Sequence, residues 1–130
     1  MKHLPLMIMN CVPHRMQRYD TVGDWTDASG VLHFTISKMD TDKEIETLLH
    51  EIFEWYLCQK AGITAAMVDK WDFAHADLID PGYPPECPYS KQHRAALKIS
   101  MLAVKLMGLN WKEYDKNFNE IADKLSEERN

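Results

Sequence analysis

The spacing of apolar residues changes near residue 40, and this change separates a predicted strand region from a predicted helical region. Residues 5–12, PLMIMNCV, form a nearly continuous apolar run, which predicts a strand buried on both faces. In residues 31–39, VLHFTISKM, apolar and polar residues alternate, which predicts a half-buried strand. The segment QRYDTVGDW and the turn-forming TDASG precede it, so we predict a β-hairpin closed at Gly30.

A helical spacing begins at Thr41. Thr41-x-x-Glu44 predicts a capping box, in which each side chain bonds a free backbone N–H of the first turn. The apolar positions that follow at helical spacing are Ile45, Leu48, Leu49, Ile52, Phe53, Tyr56 and Leu57. Gly62 predicts the end of this helix, and a second, shorter helix is predicted from about Thr64 to Asp77.

Two further helices are predicted beyond a proline-rich loop. The segment IDPGYPPECP holds four of the chain's six prolines, and neither a helix nor a central strand tolerates that density. The long helix SKQHRAALKISMLAVKLMGL follows it. Asn110-x-x-Glu113 then predicts the cap of a last helix, whose stripe of Trp111, Tyr114 and Phe118 suits either a core or a dimer interface. This order predicts an α+β fold, with a small antiparallel sheet or hairpin packed on about four helices.

Length, charge and cysteine usage limit the classes of function. The 130 residues predict a single domain, 1–130, and a net charge of −5 without a basic run gives no expectation of nucleic-acid binding. The apolar run near the N-terminus is too short to span a bilayer and lacks a small-residue cleavage site, so neither a membrane segment nor a signal peptide is predicted. Three cysteines without a C-x-x-C pair predict a reducing, cytoplasmic location.

The candidate chemistry lies in ETLLHEIFEWYL, residues 46–57. On a helix, His50 and Glu54 are one turn apart and project from the same side, so both can reach one metal ion. Zinc accepts imidazole nitrogen and carboxylate oxygen, and a catalytic zinc uses three protein ligands and one water. Glu51 occupies the position that serves as general base in the related H-E-x-x-H motif. This polar side of the helix carries almost no Lys or Arg, which favours a cleft wall over a solvated face.

His93 is the best-placed third ligand, because it shares a predicted helix face with apolar residues and should point into the interior. The alternatives are His75 with Asp77, Asp72, and Cys87 together with His93. A fourth protein ligand from the same residues would indicate a structural zinc, whereas a position left to water would indicate a catalytic one. Manganese and iron also suit two imidazoles and one carboxylate, and without a metal Glu54 would pair with His93 or an arginine.

Several motifs together carry a resemblance to known proteins. A hairpin followed by a helix bearing H-E resembles the start of the zincin-like metallopeptidase core. More narrowly, HEIFEWYLC, GIT..MVDKWD, the PG-containing loop, PYSKQH and LMGLNWKEYD resemble small proteins encoded by bacteriophages and prophages, which carry H-E-x-x-E and then P-Y-x-x-Q-H. The resemblance covers roughly residues 30 to 115.

The resemblance implies a minimal zincin-like core and a zinc-dependent hydrolase of metallopeptidase type. Carried over position by position, it implies His50, Glu54 and His93 as ligands of one zinc ion and Glu51 as the base acting on metal-bound water. It also implies phage or prophage origin and a place in the bacterial host cytoplasm, but it supplies no substrate. A peptide or protein substrate or partner is a separate expectation. The alternative is a non-catalytic protein, metal-stapled or metal-free, that acts on a host or phage partner.

Overall fold

The computed structural model describes residues 3–27, 30–78 and 80–130. These residues form three strands and four helices in an α+β arrangement, as the sequence predicts. The strands are β1 Met7–Val12, β2 Gly23–Thr26 and β3 Leu32–Ser37, and the helices are α1 Thr41–Ala61, α2 Ala65–Ala74, α3 Ser90–Leu106 and α4 Trp111–Arg129. No helix among the described residues is both long and apolar enough to cross a membrane.

The sheet is mixed, with the strand order β1-β3-β2. The predicted hairpin is confirmed, since β2 and β3 are antiparallel with Trp25 opposite Phe34; Ala28 and Ser29 of the predicted turn lie outside the described residues. The prediction of a purely antiparallel sheet is wrong, because β1 runs parallel to β3 with Met7 opposite Leu32. The chain between β1 and β2 therefore passes from one edge of the sheet to the other.

The position of β1 at an edge corrects one prediction. The strand is not buried on both faces, since Ile8 and Met9 are exposed. Of the three strands, α1 packs mainly against β2 and β3, so β1 lies at the margin of the covered area. Because β3 is the central strand, the free edges of the sheet belong to β1 and β2.

The start of α1 lies one residue from the predicted capping box. Asp40, not Thr41, is the N-cap, and its side chain accepts a hydrogen bond from the Lys43 backbone N–H. The Glu44 side chain accepts a hydrogen bond from the backbone N–H of Met39, the residue before the N-cap. A reciprocal pair of capping hydrogen bonds therefore exists, but each bond involves a residue that precedes Thr41. The helix ends as predicted at Gly62, whose φ of 73° is left-handed.

The remaining helices follow the sequence closely. Thr64 caps α2, although this helix ends at Ala74 and not at Asp77. Residues 80–88 of the proline-rich segment form no helix or strand, and Ile79 at its start lies outside the described residues. Asn110 caps α4 as predicted. The buried core between the sheet, α1 and α2 consists of Trp25, Leu32, Phe34, Trp55, Cys58, Ile63, Val68, Cys87 and Tyr89.

Candidate metal centre

The polar side of α1 faces the protein interior, and much of its apolar side faces solvent. Glu51 and Glu54 are only 7% and 5% exposed, whereas Ile45 and Tyr56 on the opposite side are 45% and 44% exposed. Burial of carboxylates is costly unless partners compensate for lost hydration. A helix that buries its acids and exposes part of its apolar residues is therefore oriented by something other than the hydrophobic effect alone.

The compensation comes from three side chains that converge on one point. His50 Nε2 lies 3.2 Å from Glu54 Oε2, and His93 Nδ1 lies 2.8 Å from the same oxygen. The two imidazole nitrogens are 3.3 Å apart. Helix α1 supplies His50 and Glu54 at i and i+4, while α3 supplies His93 from its first turn. The structure thus brings together the three residues that the sequence singles out, and this group could hold a metal ion.

The triangle has dimensions that suit a small divalent ion. Ligand atoms about 2.0–2.1 Å from a tetrahedral ion are roughly 3.3 Å from one another, by simple geometry. Two edges of the triangle, 3.2 and 3.3 Å, match this value, and the third is shorter at 2.8 Å. Two imidazoles and a carboxylate also form a donor set that zinc accepts. The residues present therefore fit a bound ion.

Each member of the triangle is fixed through its second polar atom. Glu54 Oε1 accepts a hydrogen bond from Trp25 Nε1 at 3.2 Å. His93 Nε2 lies 3.1 Å from Asp80 Oδ2. His50 Nδ1 lies 3.3 Å from Ser100 Oγ. Partners of this kind orient ligating side chains and fix the tautomer of ligating histidines.

The Ser100 contact continues into a buried relay. Ser100 donates to Glu46 Oε2 at 2.8 Å, and Tyr114 donates to Glu46 Oε1 at 3.0 Å. The relay links α3 and α4 to the same face of α1 that carries His50. Burial raises the pKa of Glu46, against the opposing effect of its two hydroxyl donors. The position of His50 thus depends on three residues from three helices: Glu46, Ser100 and Tyr114.

Glu51 lies beside the triangle without being part of it. Its Oε2 is 4.0 Å from His50 Nε2, and its side chain packs against Gly23 of β2. A Cβ at Gly23 would lie 2.7 Å from Thr47 Cγ2 and 2.9 Å from Glu51 Cγ, so only glycine allows this close approach. The backbone of β2 therefore forms one wall next to the Glu51 carboxylate.

The pKa values of the Glu51 and Glu54 carboxylates are shifted in opposite directions. Burial, reinforced by the charges of Glu54 and Asp24, raises the pKa of Glu51 well above 4.5. Burial acts in the same direction on Glu54, but hydrogen bonds from His50 and His93 outweigh it and lower the pKa of Glu54 to about 2. Burial opposes the charged form of His93, but its hydrogen bonds to Asp80 and Glu54 raise its pKa to about 10.

The alternative ligands lie elsewhere. Asp72 is buried and accepts hydrogen bonds from Tyr19 and Tyr89. The His75 ring stacks on Trp71, and its Nδ1 bonds the Trp71 carbonyl at 2.8 Å. Asp77 is exposed and Cys87 is buried in the core. Among the described residues, none of the four joins the triangle as a further ligand.

The triangle lies in a cleft of about 380 Å³ whose lining is strongly acidic. The carboxylates that line it are Asp20, Asp24, Glu46, Glu51, Glu54, Asp72, Asp77, Asp80, Asp115 and Asp123. These are half of the chain's 20 acids, whereas none of its 15 Lys and Arg residues lines the cleft within the described part of the chain. The predicted stripe of Trp111, Tyr114 and Phe118 lines one wall, where Tyr114 is buried and the other two rings are half-buried.

Several residues of this site carry no signal in the sequence. Trp25, Asp80 and Ser100 contact the triangle from distant positions in the chain, and no fixed spacing relates them to His50. His14 is also missed: the sequence assigns it no role, yet it is buried, with its Nδ1 2.8 Å from Ser37 Oγ and its Nε2 2.7 Å from Asp20 Oδ1. Only the i, i+4 pair on α1 and the inward face of α3 could be found from residue spacing.

Comparison of the chain with protein-family models, with curated proteins and with solved structures finds no match. The resemblance to phage-encoded proteins stays a prediction. Function is therefore inferred from the chemistry of the site itself.

Proposed function

We propose that the chain is a metal-dependent hydrolase of metallopeptidase type, with His50, Glu54 and His93 as ligands of one ion and Glu51 as general base. The observation that carries the proposal is the convergence of three donor atoms within 3.3 Å of one another, next to the buried carboxylate of Glu51. The outer partners of each donor support it, because a simple buried ion pair needs no such orientation of every ring and carboxylate.

Zinc is the proposed ion, since two imidazoles and one carboxylate are a common catalytic zinc set. Three protein donors leave a position for water, and among the described residues no fourth donor approaches the group. When bound, the ion would act as a Lewis acid toward a water molecule and a substrate carbonyl.

The chain's own residues would then move the protons. Glu51 Oε2 would take a proton from the attacking water as the new carbon–oxygen bond forms. The same carboxylic acid would pass that proton to the departing amine nitrogen as the carbon–nitrogen bond breaks. The Glu54 carboxylate would stay ionised throughout, because it is stabilised by its contacts to His50, His93 and Trp25.

A peptide is the proposed substrate, and β2 is the strand that would receive it. Strand β2 is an edge of the sheet, and its Gly23 packs directly against Glu51. An extended chain can add to such an edge through backbone hydrogen bonds. All three cysteines are free thiols, which is in keeping with action in a reducing cytoplasm such as that of a bacterial host.

One observation favours the rival proposal of a metal-free interaction protein. Glu54 accepts directly from His93 at 2.8 Å, which is the length of an ordinary charge-assisted hydrogen bond. In that case the polar cluster would stabilise the contact between α1 and α3, and the protein would act by binding a partner.

Metal content separates the two proposals. We expect purified protein to carry close to one zinc per chain by mass spectrometry, and we expect His50→Ala and His93→Ala to lose it while remaining folded by circular dichroism. His75→Ala is the matched control and should keep full zinc, because the one hydrogen bond of the His75 ring among the described residues goes to the Trp71 carbonyl. Zinc absent from the wild type after incubation with zinc salts would eliminate the hydrolase and leave the rival.

Catalysis needs a second measurement on the metal-loaded protein. Glu51→Gln should retain zinc and lose hydrolysis of a peptide library by about 100-fold or more, as expected for removal of a general base. Acetohydroxamate should change the visible spectrum of the cobalt-substituted protein, because an open position can accept it. An unchanged spectrum would indicate a closed, structural site.

A further inference from the structure

The wall that α4 contributes to the cleft carries two acids and no basic residue. Asp115 and Asp123 face the cleft, whereas Lys112, Lys116 and Lys124 of the same helix do not line it. The two acids are eight positions apart in the sequence, which places them about 12 Å apart along the helix axis. Neither acid makes a salt bridge within the described part of the chain, so both charges are available to a ligand.

Aromatic surface lies between and beside these two acids. Phe118 is half-buried between Asp115 and Asp123 on the same stripe, and Trp111 is half-buried one turn before Asp115. Long basic side chains suit such a surface, because their aliphatic stems pack on rings while the charged head reaches a carboxylate. A short cation without an aliphatic stem would contact the carboxylates but would not pack on the rings.

Two polar groups of the cleft lining have few compensating contacts. The Thr47 hydroxyl is buried and has no partner within the described residues. Glu51 is 7% exposed, and the one basic nitrogen within 4.0 Å of its carboxylate among the described residues is His50 Nε2, at 4.0 Å. Buried polar groups without partners are costly, and their presence in a cleft points to a ligand that supplies what is missing.

We propose that the cleft binds a basic peptide segment, with Lys or Arg side chains lying along α4 against Asp115 and Asp123. This extends the proposed function by giving its substrate class, and it rests on that function only for the claim that the bound peptide is cleaved. The excess of acids over the whole cleft would draw such a segment in, and the two free acids of α4 would set its register.

Fluorescence anisotropy with defined peptides tests the binding directly. The probe is a fluorescein-labelled octapeptide of alternating Lys and Ala, compared with peptides in which every Lys is replaced by Gln or by Glu. We expect the Lys peptide to bind at least about 10-fold more tightly than the Gln peptide at low salt, and the Glu peptide not to bind, since exposed charges act over about a Debye length.

A matched pair of double variants separates recognition from general charge attraction. The double variant Asp115→Asn with Asp123→Asn should bind the Lys peptide about 5- to 10-fold more weakly than the wild type, which is the effect expected from the loss of two exposed charge pairs. Glu113→Gln with Glu120→Gln removes the same charge from the same helix but outside the cleft, and it should weaken binding less than about 2-fold. Equal losses in both pairs, or no preference for the Lys peptide, would overturn the proposal. Displacement by spermidine at a lower concentration than by unlabelled Lys peptide would overturn it in favour of a small polyamine.

The same assay on zinc-loaded and chelator-treated protein keeps the two proposals distinct. Peptide preference that survives in protein unable to bind zinc would support the basic-peptide site while the hydrolase fails. Zinc binding and peptide hydrolysis without a preference for Lys would leave the hydrolase in place and overturn the basic-peptide site.

Discussion

Asp80 holds the ring of His93 from the side opposite Glu54. Its carboxylate oxygens lie 3.0 and 3.1 Å from His93 Nε2, while Nδ1 faces the triangle. Asp80 thereby fixes which nitrogen is free to act as a ligand. We expect Asp80→Asn to weaken zinc affinity by about 10- to 100-fold, the usual effect of losing an outer partner of a ligating histidine.

Competition with a fluorescent zinc chelator would measure this change. Asp77→Asn is the control, because Asp77 also lines the cleft but makes no contact with the triangle. Equal affinities of the Asp80→Asn and wild-type proteins would show that the ring of His93 is positioned by packing alone.

The buried Asp72 makes stability depend on pH. Burial raises its pKa from the ordinary value of 3.8 to about 6, against the opposing hydrogen bonds from Tyr89 and Tyr19. The folded state therefore holds this proton more tightly than the unfolded state does. Stability from this group is fully present below about pH 4 and is lost as the pH rises through 6, by roughly 3 kcal/mol in total.

The Asp72→Asn variant should lack this loss, because an amide does not ionise. Urea unfolding at pH 4 to 7 should show the free energy of unfolding of the wild type falling relative to that of the variant as the pH rises. Asp123→Asn, which removes an exposed acid, should run parallel to the wild type. A constant difference between wild type and Asp72→Asn would contradict the expected titration.

Single residues were predictable where a local spacing carried the information. His50 and Glu54 follow from the helical repeat, and His93 follows from the inward face of its own helix. The partners that orient them follow no repeat: Ser100 lies 50 residues from His50, and Trp25 lies 29 residues from Glu54. Such contacts arise from the packing of elements, which a pattern along the chain does not contain.

Helix α1 shows what an element's pattern can and cannot reveal. Its helical period, its end at Gly62 and the cleft-like character of its polar side are all evident in the sequence. The exposure of Ile45, Phe53 and Tyr56 is not, because apolar spacing alone predicts that these residues are buried. The polar cluster overrides that expectation by offering partners to Glu46 and Glu54 in the interior.

The loop before α3 positions the third donor through a glycine. A Cβ at Gly82 would lie 2.6 Å from His93 Cγ and 2.7 Å from its Nδ1. The ring cannot move away without losing Glu54 or Asp80, so Gly82→Ala should lower zinc affinity about 10-fold or more. The same chelator competition would measure this loss.

Gly108→Ala, in the connection between α3 and α4, is the matched control for Gly82→Ala. Its Cβ would meet nothing within 4 Å, but its φ of 80° strains any residue other than glycine. It should therefore cost roughly 1 kcal/mol of stability and leave zinc affinity unchanged. Zinc affinity that falls equally in Gly82→Ala and Gly108→Ala would trace the loss to general destabilisation.

At the scale of the whole molecule, the element order was predictable but the sheet topology was not. The parallel pairing of β1 requires the following ten or so residues to cross from one edge to the other, and buried side chains fix that crossing. Gln17 donates to the Thr35 carbonyl at 3.1 Å, and His14 lies 2.8 Å from Ser37 Oγ. Both residues lie in the connection between β1 and β2 and contact β3. Both are polar, so the sequence pattern does not predict that they are buried.

The donors of the triangle come from two helices, so a bound ion would tie α1 to α3 and, through Asp80, to the loop between α2 and α3. An ion that binds only the folded chain stabilises it by an amount that grows with the logarithm of the ion concentration, about 2.7 kcal/mol at 100 times the dissociation constant. For a chain of this length we expect zinc to raise the Tm by roughly 10 °C under those conditions. The increase should disappear in His93→Ala and persist in His75→Ala, measured by differential scanning fluorimetry. The same increase in His93→Ala would place the stabilising ion at some other group of residues, and both the triangle and the proposed hydrolase would then lose their basis.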